Sequence, residues 1–337
     1  MIQYILIILG ALLLLAVIID MALTIVFLNG AGPVSKRLSR LIWNIFYIVS
    51  GKNGESKILT FAGGFILIFV IFAWIFMIWA GYSLIFLSDP NSVVDASTLA
   101  PANIVGNIYY VGYTITSLGN GDLKSGSDFW RIISNIMGIT SMIFTTVGIS
   151  YLLPVLQAVI QKRSLSIYIG KLGNSPEEIL NTSWNSKDFH GLYALFGNIE
   201  EMLLQHSERH LSYPILHYFH SNVKEYSAPL MLAILDEMIT IQEVYEIDKQ
   251  PNIYQWKVLR GVMDNYLNRL DESFIGTEEN LPPFPYTDIP DTQNLSEEVL
   301  KEKLAKYQDR RCKLYNLITK DGWDWSDVTR VIDDVNK

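Results

Sequence analysis

Hydrophobic positions along the chain fall into two patterns. Three runs are apolar on every side: Ile2 to Asn29, broken by Asp20 alone, Ile58 to Ser88, and Ile132 to Gln161. About 20 apolar helical residues cross a hydrocarbon core of about 30 Å, so each run is long enough to span a bilayer with some tilt. Beyond residue 163 the pattern becomes one-sided. Leu192, Phe196, Ile199 and Leu203 recur at helical spacing, as do Met231, Ile234, Leu235, Met238 and Ile241. Trp256, Leu259, Met263, Tyr266 and Leu270 form a third stripe, and Leu300, Leu304, Tyr307 and Leu314 a fourth. Such stripes predict a helical domain with its own core. Ser296-Glu297-Glu298 marks the start of its last long helix, and Pro282, Pro283, Pro285 and Pro290 predict an extended linker before it.

Between the first two runs, Leu38, Leu41, Ile42, Ile45 and Phe46 alternate with Lys36, Arg37 and Arg40, which predicts an amphipathic helix in the headgroup layer. Such a helix either couples the soluble domain to the spans or serves as connector and anchor. Phe65, Phe69, Phe72, Phe76 and Trp79 form one aromatic face of the second run, explained by packing on a helix or lipid.

Charge sharpens this division. Residues 1–163 carry nine Lys/Arg and six Asp/Glu, whereas residues 164–337 carry seventeen and twenty-eight. The acidic half argues against a nucleic-acid partner. The segment from Gly30 to Lys57 holds Lys36, Arg37, Arg40, Lys52 and Lys57, and Lys162 and Arg163 close the third run. By the positive-inside rule both lie on the cytoplasmic side, with the amino terminus outside and the acidic domain in the cytosol. The expected location is the cell membrane, multi-pass. A cleaved signal peptide fits the first run poorly, because no basic leader or small-residue cleavage pattern accompanies it. The single Cys312 suits a reducing compartment.

Candidate chemistry lies between the second and third runs. Asn103 to Thr116 is moderately apolar and too short to cross, and Thr116-Ser117-Leu118-Gly119-Asn120-Gly121-Asp122 follows it. A short helix that stops midway directs its carbonyl end at the membrane centre, which favours a cation. Irregular backbone at that depth is tolerated where it lines water. Ser117 to Gly121 then supplies backbone oxygens for a dehydrated ion, with Gly119 and Gly121 permitting the required conformations. One segment cannot enclose an ion, so several copies must meet on an axis.

Outer helix, pore helix, filter and inner helix, in this order, resemble the tetrameric potassium-channel superfamily. Its filter reads Thr-Thr-Val-Gly-Tyr-Gly-Asp, against Thr116 to Asp122 here, and Gly138-Ile139-Thr140-Ser141 is similar to its hinge-glycine segment. The resemblance covers roughly 100 residues and includes neither the first span nor the cytosolic domain. It implies a homotetramer, permeant K+ at Ser117, Leu118, Gly119, Asn120 and Gly121, and filter support from Thr116 and Asp122. Asn120 stands where the family has tyrosine, so reduced selectivity over Na+ is expected. Gly138, Gly148 and Pro154 are candidate hinges of an inner-helix gate coupled to the cytosolic domain. The alternative is a non-conducting sensor of the same fold whose acidic domain binds a protein partner.

The expected fold class is therefore an all-α membrane protein: three transmembrane helices plus a re-entrant pore loop per chain, then an α-helical cytosolic domain. The expected boundaries are 1–29 for the first helix, 30–57 for the interfacial connector, 58–163 for the pore module and 164–337 for the cytosolic domain. Within the pore module they are outer helix 58–88, pore helix 103–116, filter 117–121 and inner helix 132–161. No row of arginines marks a voltage sensor. No Gly-x-Gly-x-x-Gly follows a strand, and no catalytic constellation or cofactor motif is present. An enzyme is not expected, and the cytosolic ligand or partner stays open.

Asp20, alone among charges in the runs, is either a functional carboxylate or a group that reaches the interface or bonds Thr24. All five histidines, His190, His206, His210, His217 and His220, fall within thirty-one residues. His206 and His210 stand one helical turn apart, with His217 and His220 beyond Pro214. They suit a metal or proton sensor, or a half-buried set in an aromatic core.

Overall fold

The computed structural model describes residues 1–27, 30–247, 253–270, 280–286, 289–290 and 295–329. It is overwhelmingly helical and divides into two compact units, one of Met1–Leu41 with Phe65–Val155, the other of Ile42–Gly64 with Leu156–Lys337. Three helical stretches are long and apolar enough to cross a membrane: Ile2–Val26, Leu59–Phe86 and Asp128–Gly170. Residues 28–29, the end of the expected first span, lie outside the described residues.

In the first unit, α1 (Ile2–Met21) runs into one π-helical turn, Ala22–Val26. It packs on α3 (Ala62–Phe86) through glycines. A methyl group on Gly10 would sit 2.6 Å from the Gly81 carbonyl oxygen, and one on Gly81 would strike Leu14 at 2.9 Å. Between apolar helices in lipid, such small residues let backbones approach and gain van der Waals contact. Phe65, Phe69, Phe72 and Phe76 of α3 are exposed, as lipid-facing positions are.

The amphipathic helix α2 (Pro33–Val49) starts without a side-chain cap of its own, since Gly32 precedes it. Asp20 supplies the cap from α1. Its carboxylate accepts from Val34 N at 2.7 Å, from Ser35 N at 3.2 Å and from Ser35 Oγ at 2.5 Å. Trp74 Nε1 of α3 donates a further bond of 2.8 Å. A carboxylate at a helix N-terminus meets orphan N–H groups and the positive end of the dipole. Thr24, the expected partner of Asp20, donates instead to its backbone oxygen at 2.6 Å and accepts from Gly32 N. Gly32 is required here, because a methyl group would lie 2.2 Å from Asp20 Oδ1. Asp20 thus joins three elements and is wholly buried.

After α3 come a short antiparallel ribbon and a short helix. Strand β1 (Val93–Asp95) pairs with β2 (Leu123–Ser125) in the register Val93↔Ser125, Val94↔Lys124, Asp95↔Leu123. The ribbon closes the loop around α4 (Ile104–Ile115), which Asn103 caps by accepting from Gly106 N at 2.8 Å. Gly126 fits where a methyl group would lie 1.9 Å from Asn91 O. Helix α5 (Asp128–Gly170) contains Pro154 and continues nine residues past the expected end at 161. Lys162 and Arg163 mark a change in composition, whereas Leu165 and Ile169 extend the helix because they are buried in the second unit's core.

That core surrounds α8 (Ala228–Tyr245), whose sixteen buried residues include Asp236, Glu237, Thr240 and Gln242. Around it lie α6 (Pro176–Ser183), α7 (His190–Ser212) and α9 (Ile253–Arg269). The expected last long helix is broken into α10 (Glu297–Leu304), a 3₁₀ turn at Ala305–Tyr307, and α11 (Gln308–Lys320), before the short α12 (Ser326–Thr329). Ser296 is the N-cap of α10, and described residues 280–286 of the Pro-rich linker are non-helical; the rest of that linker lies partly outside the described residues. The connector joins this unit through its backbone. Gly54 N donates to Gly322 O at 2.7 Å, and Tyr47 Oη donates to Thr319 O at 3.0 Å.

Candidate pore segment and the titratable groups of the second unit

Helix α4 has 12 residues, so it is about 18 Å long at 1.5 Å per residue, well short of a bilayer core. It ends on a Schellman cap: Leu118 N donates to Tyr113 O at 2.9 Å and Ser117 N to Thr114 O at 3.2 Å. The motif puts Ser117 in the left-handed region, φ 59°, where glycine is usual. Helix termination explains that residue alone. Gly119 at φ 60° and Gly121 at φ 80° continue the pattern, while Leu118 and Asn120 between them have negative φ. Residues 116–122 are all exposed within the single chain, with Leu118 71% exposed.

The segment is braced from one side by the tyrosines of α4. Asn120 Nδ2 donates to Tyr109 Oη at 2.5 Å, and Tyr113 Oη donates to Leu123 O at 2.7 Å. Tyr110 Oη bonds Ser125 Oγ at 2.8 Å and Ser134 Oγ of α5 at 2.7 Å. Ser141 Oγ of α5 donates to Ile115 O at 2.5 Å, fixing the carbonyl end of α4. The resemblance to potassium-channel filters implies support from Thr116 and Asp122. Thr116 Oγ1 turns back to Gly112 O, and the Asp122 carboxylate makes no hydrogen bond among the described residues. Tyr109, Tyr110 and Tyr113 were missed, and their cluster within five positions of a short apolar helix was the available signal.

A cavity of ≈ 610 Å³ adjoins the segment, lined by Trp74, Ile115, Thr116, Ser117, Ser141 and Gly148 among others. The inner-helix candidates Gly138, Gly148 and Pro154 all lie inside the continuous α5. A methyl group on Gly138 or Gly148 would meet nothing within 4 Å.

In the second unit the histidines part company. His206 and His210 of α7 have ring centroids 6.0 Å apart, and His217 reaches to 5.9 Å from His210, all beside Tyr266 or its neighbours. Among the described residues no group of three His, Cys, Asp or Glu is arranged to hold a metal. Burial holds His206 and His217 well below the ordinary imidazole range, and it lowers His210 to about 3, so burial favours the neutral form of these rings. His206 and His210 pack on Tyr266, a residue of the second unit's core. His190 begins α7 and is exposed.

His220 stands elsewhere. Its Nε2 lies 2.7 Å from Gly54 O and its Nδ1 3.1 Å from Asp321 Oδ1, with Trp323 stacked on the ring. Burial would lower its pKa, but the charge of Asp321 and the two acceptors outweigh burial and raise it. The Asp321 charge beside Nδ1 favours the protonated ring.

No family model matches the sequence, and no solved structure matches it. An uncharacterized membrane protein of Bacillus subtilis (strain 168), YdjJ, is 34% identical over 327 residues, covering 95% of this chain and 94% of that protein. Three apolar helices of spanning length and this relationship agree on a membrane location. The chain belongs to the family of the uncharacterized membrane protein YdjJ.

Proposed function

We propose that the chain is one subunit of a homotetrameric cation channel in which residues 117–121 of four copies surround the permeant ion. The observation that carries this reading is the alternation of positive and negative φ through Ser117, Leu118, Gly119, Asn120 and Gly121 in a segment exposed on one side and braced on the other. An ordinary extended strand turns successive carbonyls to opposite sides. Reversing the hand of every second residue cancels that alternation and favours carbonyls facing one way, the arrangement a dehydrated cation needs. The preceding helix adds its negative end to the same place, and the residue-by-residue likeness to the potassium-channel filter supports the same reading.

The loop with Lys36, Arg37 and Arg40 is cytoplasmic on this reading, as is the acidic half, and α4 with its loop re-enters the membrane from outside. Potassium is the main permeant ion. Asn120, smaller than the family's tyrosine and tied to Tyr109, leaves the filter diameter less firmly set and admits Na+ more readily.

Purified protein in liposomes tests the proposal. Potassium or thallium flux above that of empty vesicles is expected, with no flux of a large organic cation. Absence of flux in liposomes that contain intact tetramers overturns it. Reversal potentials under opposed K+ and Na+ gradients report selectivity, and a strongly K+-selective value removes the role given to Asn120. Replacing Gly138 by Ala adds a side chain into open space and firms α5 by about 0.5–1 kcal/mol. A lowered open probability is expected, and unchanged gating discards the hinge.

A further inference from the structure

Within the second unit, a cavity of ≈ 410 Å³ lies among Thr60, Lys162, Arg163, His220, Asn222 and Tyr226, with further lining from their neighbours. None of its lining residues is Asp or Glu, although residues 164–337 contain twenty-eight of them. Two cations are built into its wall. Lys162 is nine-tenths buried, and its Nζ donates to Leu216 O and Phe219 O, each at 2.9 Å. Those two bonds fix the ammonium and leave one of its three N–H directions. The Arg163 guanidinium lies 4.2 Å from the centroid of the Tyr226 ring and has no carboxylate partner among the described residues. Stacking on the ring orders a side chain that would otherwise be mobile.

His220 adds little net charge, because Asp321 accompanies it at 3.1 Å. The Thr60 hydroxyl is turned to Lys57 O and that of Ser221 to Val223 O. The Asn222 amide has no partner among the described residues and is half-buried at the rim. The cavity therefore offers two cations that no carboxylate hydrogen-bonds among the described residues, a fork and a point charge, with one amide; the Asp321 charge acts on Lys162 without bonding it.

We propose that this cavity binds a phosphate-bearing anion, held by Arg163 and Lys162 with Asn222 at its edge. A planar guanidinium and a compact ammonium are the side chains that recognise phosphate oxygens. A phosphate group, free or in a lipid headgroup, fits a cavity of ≈ 410 Å³, and its negative charge answers the Arg163 and Lys162 cations. Thr60 lies one residue before the last of the 3₁₀ turn that opens the second span, and Val159 lies in the third. Both a lipid headgroup and free phosphate meet the same chemistry there. The site stands whether or not the chain conducts ions.

The test uses the full-length protein in nanodiscs of phosphatidylcholine, titrated with inorganic phosphate, and in nanodiscs containing phosphatidylglycerol. A rise in melting temperature with phosphate identifies a soluble ligand; a rise only with phosphatidylglycerol identifies the headgroup. In the responding arm, Arg163→Gln is expected to need about tenfold more ligand or more for the same rise, and Asn222→Ala a smaller excess. Arg37→Gln, remote in sequence and outside the cavity lining, should respond as wild type. No rise in either arm, an unaltered response of Arg163→Gln, or equal losses in Arg163→Gln and Arg37→Gln each overturn the proposal. Arg163 is exposed, so its substitution tests the site without the folding risk of losing Lys162.

Discussion

Asp20 in the first unit and Glu237 in the second are both wholly buried carboxylates, and the chain keeps them in opposite ways. Asp20 sits among neutral donors: two backbone N–H groups that open α2, the Ser35 hydroxyl and the Trp74 indole. No Lys or Arg pairs with it among the described residues. Glu237 is matched by a full counter-charge, with Arg311 Nε and Nη2 donating to it at 3.0 and 2.7 Å. Its neighbour Asp236 is held by Arg260 and Arg310 at 2.7 and 2.6 Å. Inside an apolar bundle a second buried charge would itself need desolvating, whereas a helix N-terminus offers partial positive charge at no such cost. In the second unit Arg260 and Arg310 reach Asp236, and the buried Arg311 is matched to Glu237.

The largest expected effect follows from breaking the ion pair on one side. Arg311→Met leaves Glu237 buried without its partner and should cost about 3–5 kcal/mol of stability in the second unit, whereas the double change with Glu237→Leu should recover most of it. Chemical denaturation followed by tryptophan fluorescence measures both. A single variant as stable as wild type would show that Glu237 gains water or changes protonation freely.

A smaller loss is expected where the partners are neutral. Asp20→Asn keeps the shape but turns an amide toward N–H donors, which should cost about 1–3 kcal/mol. Thermal unfolding in detergent reports it. A loss equal to that of Arg311→Met would dissolve the contrast between dipole and ion pair.

The third expectation concerns pH, through His220, whose pKa the Asp321 carboxylate beside it raises. Because the His220 pKa is raised above the unfolded value of 6.5, its stabilisation is complete below that value and fades as pH rises through the folded one. Asp321→Asn removes the counter-charge, so stability should fall less between neutral and alkaline pH than in wild type. Parallel slopes in the two proteins would show that the His220–Asp321 pair carries no proton linkage.

Residues 1–27 and 58–86 were legible because apolar runs of that length have few alternatives to a membrane helix, and the Ser296 cap because its signature is local. The loop after α4, with positive φ at Gly119 and Gly121, was legible from glycine spacing. Its brace was not, since Tyr109, Tyr110 and Tyr113 look like ordinary apolar positions until their hydroxyls meet Asn120, Ser125 and Leu123. The inner helix ran past its expected end because charge, read along the chain, reports where lipid stops and not where hydrogen bonding stops.

By itself the sequence determined the main helices, the three apolar runs of spanning length and the division into an apolar and an acidic half, which depend on short-range periodicity and composition, but not the β1–β2 ribbon. Only tertiary structure decided that Asp20 caps a helix fourteen residues away, that His206, His210 and His217 are buried while His220 meets Asp321 across about a hundred residues of chain, and that Gly54 lies against Gly322. Each of those outcomes turns on which groups distant in sequence share one dry space. Burial, together with the charges that share the buried space, sets whether a polar group favours its charged or its neutral form.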